Sequence, residues 1–183
     1  MFKKIRSDIA KYKKYSGKNA LLLILTQQGL WAIITYRFWN RVYESRLPLF
    51  LKNIILVFGV ISQKWIEIIT GIQLPYAAKI GHSFYIGHFG QIIINANAVI
   101  GNNCNISQGV TIGVSGRGEK RGVPVLEDNI YVGANVTVAG KITIGANSVL
   151  GANSLVVKNV EANTTVLGVP AVKINDNDSS AYI

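Results

Sequence analysis

An aliphatic residue returns at every sixth position through the middle of this chain, and that period decides what the chain can fold into. Leu126, Val132, Val138, Ile144, Leu150 and Val156 keep the step unbroken; Ile94, Ile100, Ile106 and Ile112 precede them, and Ile80 and Ile86 start the series. The following residue is often small, as at Gly81, Gly101, Gly133, Gly145 and Gly151. Six matches neither the 3.6 residues of a helical turn nor the alternation of a half-buried strand. It matches a coil of three short strands, with each aliphatic residue pointing inward and each small residue easing a corner, the sequence mark of a parallel β-helix. Three hexads make one coil, so about five coils fit between Gln73 and Val169. Fifth hexad positions such as Ala98, Cys104, Val110 and Ser148 are small or apolar, as a narrow interior requires. Each coil touches only its neighbours, so the ends of the stack need protection.

Composition bounds the chemistry. One cysteine, on an interior hexad position, excludes a disulfide framework and a cysteine-based zinc site and fits a reducing compartment. Two histidines are too few for a three-histidine metal centre, so no metal is expected. No short apolar run ending in a cleavage site follows Met1, so the expected working place is cytoplasmic.

The net charge of +10 is unevenly placed: residues 1–70 carry twelve Lys/Arg against three acids, residues 71–183 seven against six. In that basic region Phe2, Ile5, Ile9 and Tyr12 form a helical stripe ringed by lysines; a second helix is expected from Asn19 to about Tyr43, and a third to Thr70, ending at Gly71. The longest uncharged run, Asn19 to Tyr36, has Thr26-Gln27-Gln28-Gly29 at its middle, poor material for a bilayer centre. Two readings stand for these apolar faces: peripheral contact with the inner membrane surface through residues 1–70, or burial against the first coil and a neighbouring subunit. Nucleic acid is not an expected partner, because no aromatic platform interleaves the basic residues. The chain thus divides into a basic helical domain at 1–72, a β-helix domain at 73–175 with a loop at 114–125, and a tail at 176–183.

The hexad count fails twice. The step from Ile86 to Ile94 is eight, which inserts two residues around His88-Phe89-Gly90 and places His88 on a corner bulge. Counting one lengthened coil onward puts Gln108 beside it, whereas His82 occupies the same hexad position one face earlier and belongs to the surface. The step from Ile112 to Leu126 is fourteen, across a glycine-rich, charged excursion that is either a flap over substrate or a floppy surface loop. Its glycines do not make a nucleotide site, since no helix follows.

At these residues the chain resembles the hexapeptide-repeat acyltransferases, most closely the serine acetyltransferase branch. The likeness runs from Ala77 to Ile174 and is densest at His88, at Ser107-Gln108-Gly109-Val110-Thr111-Ile112-Gly113 and at Asn163 to Ala171. It implies a mainly β fold, a left-handed parallel β-helix with a short N-terminal α-helical domain. It also implies homotrimers with active sites between neighbouring β-helices, and acetyl-CoA as donor. His88 matches the family's general base; this chain offers it no obvious carboxylate partner, which leaves Gln108, Gln73 or a residue of the adjacent subunit to orient it. Gly113, Ala134, Ala152 and Val157 would contact the cofactor, Val157 beside the two alanines. Lys158 or Lys173 would meet the CoA phosphates, Lys173 being preferred because Val172 stands where the superfamily often has a basic residue. Gln73, Gln91 and Arg117 fall on the acceptor side.

Four positions depart from the serine acetyltransferase pattern. Gly87 replaces an aspartate before the base, Gln73 an orienting aspartate, Val123 a loop histidine and Ala96 a glutamate. Those losses remove groups that would hold a zwitterionic amino acid. The expectation is therefore an O-acetyltransferase whose acceptor is a sugar hydroxyl, on a polysaccharide or lipid-linked glycan precursor. Serine O-acetylation is the alternative, and a non-catalytic β-helix scaffold a second.

Overall fold

The computed structural model describes residues 1–183 and places four helices against one end of a five-coil β-helix. The helices are α1 (Phe2–Ser16), α2 (Ala20–Thr26), α3 (Gln28–Tyr43) and α4 (Leu49–Thr70). The single helix expected from Asn19 to Tyr43 is two, bent by 94° at Gln27, whose backbone is extended. The break lets α3 approach the coil at Gly29, where a Cβ would lie 2.6 Å from both the Ile86 carbonyl and the Tyr12 hydroxyl.

Strands β1 (Ile72–Gln73), β4 (Ile92–Ile94), β7 (Thr111–Gly113), β10 (Thr137–Ala139) and β13 (Leu155–Val156) form the first parallel sheet. The second holds β2 (Lys79–Ile80), β5 (Val99–Ile100), β8 (Val125–Leu126) and β11 (Thr143–Ile144). The third holds β3 (Tyr85–Ile86), β6 (Asn105–Ile106), β9 (Tyr131–Val132), β12 (Val149–Leu150) and β14 (Thr165–Gly168), closed by an antiparallel β15 (Ala171–Asn175). The fold is a left-handed β-helix, as the resemblance implies. Every aliphatic residue of the hexad series is buried, and the ladder begins one step earlier than the sequence count, at Leu74. Cys104 lies in this core, and burial pushes its thiol up to about 11.

One corner is held by side chains. Asn103, Asn129, Asn147 and Asn163 adopt φ of 57–59°, a left-handed conformation that asparagine tolerates. Each amide donates to the next along the column, at 2.8, 2.9 and 2.8 Å. The buried ammonium of Lys11 starts the column by donating to Asn103 Oδ1 at 2.7 Å.

The helices protect the open edge of the first coil, where no lower strand exists to satisfy the backbone. Tyr36 Oη accepts from the Ile80 N–H at 3.1 Å and donates to the Ala78 carbonyl at 2.8 Å. Tyr12 Oη does the same for the N–H and carbonyl of Ile86, at 3.2 and 2.8 Å. Burial pushes Tyr36 up to about 12 and Tyr12 well above the usual phenol range. Arg37 pairs with Asp8 at 2.9 Å and donates to the Ile80 carbonyl at 2.8 Å, while Asp8 accepts the Phe84 N–H at 2.8 Å. These duties overturn the simple stripe read from α1. Phe2 is exposed, while Asp8, Lys11 and Tyr12 face inward because they supply the missing hydrogen bonds. The chain terminus returns along the third sheet to this same end: Tyr182 stacks on Tyr131 with ring centroids 4.6 Å apart, and its carbonyl accepts from Tyr15 Oη of α1 at 3.1 Å.

Candidate active site

Strand register assembles the site. Ile86 pairs with Ile106, Ile106 with Val132, and Val132 with Leu150. Two residues beyond each lie His88, Gln108, Ala134 and Ala152, which therefore form one column along the corner between the third and first sheets. Two backbone bonds support it: Asn135 N–H donates to Gln108 O at 2.9 Å and Asn153 N–H to Ala134 O at 2.8 Å. The N–H groups of Ala134 and Ala152 have no acceptor within the chain.

His88 heads the column on the two-residue bulge. The bulge is pinned from both sides: Gly90 N–H donates to Thr70 O at 2.9 Å, and Gly109 N–H to Gly90 O at 3.1 Å. Gly90 and Gln91 take φ of 101° and 52°, turning the chain back into β4. The His88 ring projects outward, exposed. Of the two histidines only His82 makes a ring hydrogen bond, to Ser83 Oγ at 3.1 Å, and within the protomer His82 is exposed. Gln108 is His88's register neighbour, yet within one protomer it does not hydrogen-bond the imidazole.

Next to the bulge, Gln73 and Gln91 line one cavity of about 470 Å³ with Ile93, Thr111 and Glu67. Glu67 escaped the sequence reading, which treated the helices as a separate region. The signal lay in Gly71, which ends α4 and leads straight into β1, so the last helical turn overhangs the first sheet.

The other named residues lie elsewhere. Gly113 pairs with Ala139, and Val156 with Val138, so Gly113, Ala139 and Val157 form a second column on the far edge of the first sheet. This corrects the placement of Val157 beside Ala134 and Ala152: β13 carries the chain across the whole sheet between them. The excursion departs from that second edge as a hairpin. Ser115 and Gly122 exchange backbone hydrogen bonds at 3.1 and 3.0 Å, and Gly118–Lys120 form a single 3-10 turn. The hairpin overhangs a cavity of about 380 Å³ that reaches Lys141 and Val157, and Arg117 is exposed on it. Lys158 and Lys173 line a third cavity, of about 340 Å³, at the last coil. Lys173 is already engaged, with Asp176 at 2.6 Å and Glu161 at 3.5 Å, and Asp176 holds its ammonium above the usual lysine range. Lys158 is exposed with no ionic partner, so the preference for Lys173 reverses. No group of three or more His, Cys, Asp or Glu is arranged to hold a metal ion.

Comparison with known proteins gives this geometry a family. The profile "Bacterial transferase hexapeptide (six repeats)" matches residues 124–158. A serine acetyltransferase of Synechococcus elongatus is 31% identical over 93% of this chain and 67% of its own length. One from Staphylococcus epidermidis is 32% identical over 93% of this chain and 77% of its own. Among solved structures, serine acetyltransferase of Brucella abortus superposes with a TM-score of 0.83 at 26% identity, covering 96% of this chain and 69% of that one. The Neisseria gonorrhoeae enzyme in complex with serine gives 0.82 at 28%, covering 94% and 68%. The Brucella abortus enzyme in complex with coenzyme A gives 0.81 at 27%, covering 95% and 67%. These relatives overturn the expectation of a sugar acceptor drawn from four substituted positions, and they favour the serine alternative. The chain belongs to the hexapeptide-repeat acyltransferases, in the branch of the serine acetyltransferases.

Proposed function

We propose that this protein is an acetyl-CoA-dependent O-acetyltransferase that acetylates the hydroxyl of serine, with His88 as general base. The observation that carries the reading is the single column of His88, Gln108, Ala134 and Ala152, in a chain that superposes along nearly its whole length on a serine-bound relative. The neutral imidazole takes the proton of the serine hydroxyl as its oxygen attacks the thioester carbonyl. The tetrahedral intermediate then collapses, the C–S bond breaks, and the imidazolium returns the proton to the departing thiolate. A backbone N–H aimed at the developing oxyanion stabilises the intermediate. The unpaired N–H groups of Ala134 and Ala152 suit the amide carbonyls of pantetheine, and Lys158 the phosphates. Glu67 gives the acceptor cavity a carboxylate for a substrate ammonium, and Gln73 and Gln91 give it amides for a substrate carboxylate.

Within one protomer the His88 column and the Arg117 hairpin occupy opposite edges of the first sheet. Both serve one reaction centre only if a neighbouring copy supplies the second edge, so a homotrimer is part of the reading. The lone buried thiol fits a cytoplasmic place of action. The test is acetyl-CoA turnover by purified protein with serine, and in parallel with simple sugars. Serine-dependent release of CoA is expected, and His88→Ala should lower it about 10²–10⁴-fold. Turnover with sugars alone would defeat the acceptor assignment, and a fully active His88→Ala the base.

A further inference from the structure

Helix α4 wears its apolar surface on the outside. Phe50, Ile54, Val57, Ile61, Trp65 and Ile68 recur at helical spacing along one stripe, and they are 45–79% exposed. The opposite side of the helix is what packs on the protein: Leu56, Gly59 and Thr70 are buried, and a Cβ on Gly59 would lie 3.0 Å from the Trp39 ring. The polar side chains Asn53, Lys64 and Glu67 keep to one flank of the outward stripe. A second apolar patch stands on α2, where the bend at Gln27 leaves Leu21, Leu22 and Leu25 exposed.

We propose that the outward face of α4 seats this protein on an anionic bilayer surface, with the helix lying in the interfacial plane. By length and composition α4 could cross a membrane. Its attachment forbids that: the inner stripe is fixed on α3, and Gly71 joins it directly to β1. A helix held along one side and apolar along the other rests on the interface. Charge selects lipid over a second copy as the occupant. Residues 1–70 carry twelve basic side chains against three acidic ones, so two such regions repel each other while an anionic leaflet attracts each. Lys18 before α2 and Lys64 on α4 are exposed beside the apolar patches, where headgroup phosphates would lie. Because Thr70 O holds the Gly90 N–H, docking also sets the His88 corner at the membrane border. The proposal is independent of which hydroxyl is acetylated.

The test is flotation of the full-length protein with vesicles of phosphatidylcholine, alone or with roughly 30% phosphatidylglycerol. The wild type should float with the anionic vesicles, less so at high salt, and Trp65 fluorescence should shift to the blue, assigned through Trp65→Phe. Phe50→Asp with Ile61→Asp should lower partitioning more than about tenfold while leaving assembly mass and turnover of soluble substrates unchanged. Should that variant fold poorly, Ile54→Ser with Ile61→Ser makes the same test without a new charge. Wild type that stays with neither vesicle overturns the proposal, and so does a folded variant that floats like the wild type. A variant whose assembly falls apart, beside a wild type that ignores vesicles, would assign the face to a second copy instead.

Discussion

Replacing Asp8 by Ala removes one half of an ion pair closed off from water, Asp8 being 0% and Arg37 2% exposed. Truncating one partner strands a buried guanidinium, which costs about 3–5 kcal/mol, much of the roughly 5–15 kcal/mol that holds an ordinary domain together. The informative variant is the double one, Asp8→Leu with Arg37→Met. For an isolated buried pair, replacing both partners by apolar residues is close to neutral. Here Asp8 also accepts the Phe84 N–H, and Arg37 also donates to the carbonyls of Ile80 and Gly81. Lys4 still reaches the Ile80 carbonyl at 3.0 Å, which leaves the Phe84 N–H and the Gly81 carbonyl orphaned. At about 1–3 kcal/mol for each of the two orphaned groups, the double variant should remain roughly 2–6 kcal/mol less stable than the wild type. Urea unfolding followed by circular dichroism measures the loss, and amide exchange of residues 78–90 locates it. Coil one carries His88, so activity should fade at lower temperature in step with that exchange. A double variant that unfolds at the wild-type midpoint would refute the idea that the helices replace a missing coil.

Other consequences can be measured alongside. Asn129 accepts from Asn103 and donates to Asn147 at φ 57°. Asn129→Ala should therefore cost about 2–4 kcal/mol and Asn129→Gly about half as much, since glycine escapes the left-handed penalty. Burial lowers Lys11 to about 8, so above that pH the unfolded chain binds more protons than the native one. Stability should then rise from pH 8 towards 10, and Lys11→Gln should flatten that rise in urea midpoints. At Gly101 an added Cβ would sit 2.6 Å from the Glu127 carbonyl, backbone that cannot yield, so Gly101→Ala should cost about 1–3 kcal/mol in thermal melts. Lys158→Glu should raise the KM for acetyl-CoA about tenfold with kcat nearly unchanged, whereas Lys173→Ala, whose ammonium is already neutralised, should move it less than about twofold.

The β-helix was legible because its interior repeats: one inward position per hexad writes the fold into the spacing from Ile80 to Val156, and both breaks in the count mark departures from the coil. Leu74 also keeps the six-residue step, but it stands alone between Gln73 and Pro75 without the small residue that follows its successors. The helical region was far less legible. Its inward face carries Asp8, Lys11 and Arg37, because its task is to complete a strand edge rather than to fill a core, and hydropathy cannot register that task. The division of site residues between two edges of the first sheet was implicit in the repeat. The step of six from Leu150 to Val156 carries the chain from the third sheet to the first, so Val157 could not share an edge with Ala152.

The relatives argue against a sugar acceptor, and topology offers a physical reason that reaches past this chain. Gly87, Gln73, Val123 and Ala96 count as a loss of acceptor-binding groups only if a site draws its polar groups solely from the positions that supply them in relatives. A cavity takes its groups from whatever the topology brings near, and here α4 delivers Glu67 beside Gln73, Gln91 and Thr111 from outside the repeat. A zwitterion needs one carboxylate and a few amide or hydroxyl partners, and it places no requirement on the strands that carry them. The loss of the aspartate at position 73 is thus a statement about one register position, and the chemistry of the pocket is decided by the sum. Glu67→Gln separates the two views. If Glu67 faces a substrate ammonium, the KM for serine should rise about tenfold while the KM for acetyl-CoA stays put. If its only duty is the exposed pair with Lys64 at 2.8 Å, both constants should hold and stability should change by less than about 1 kcal/mol.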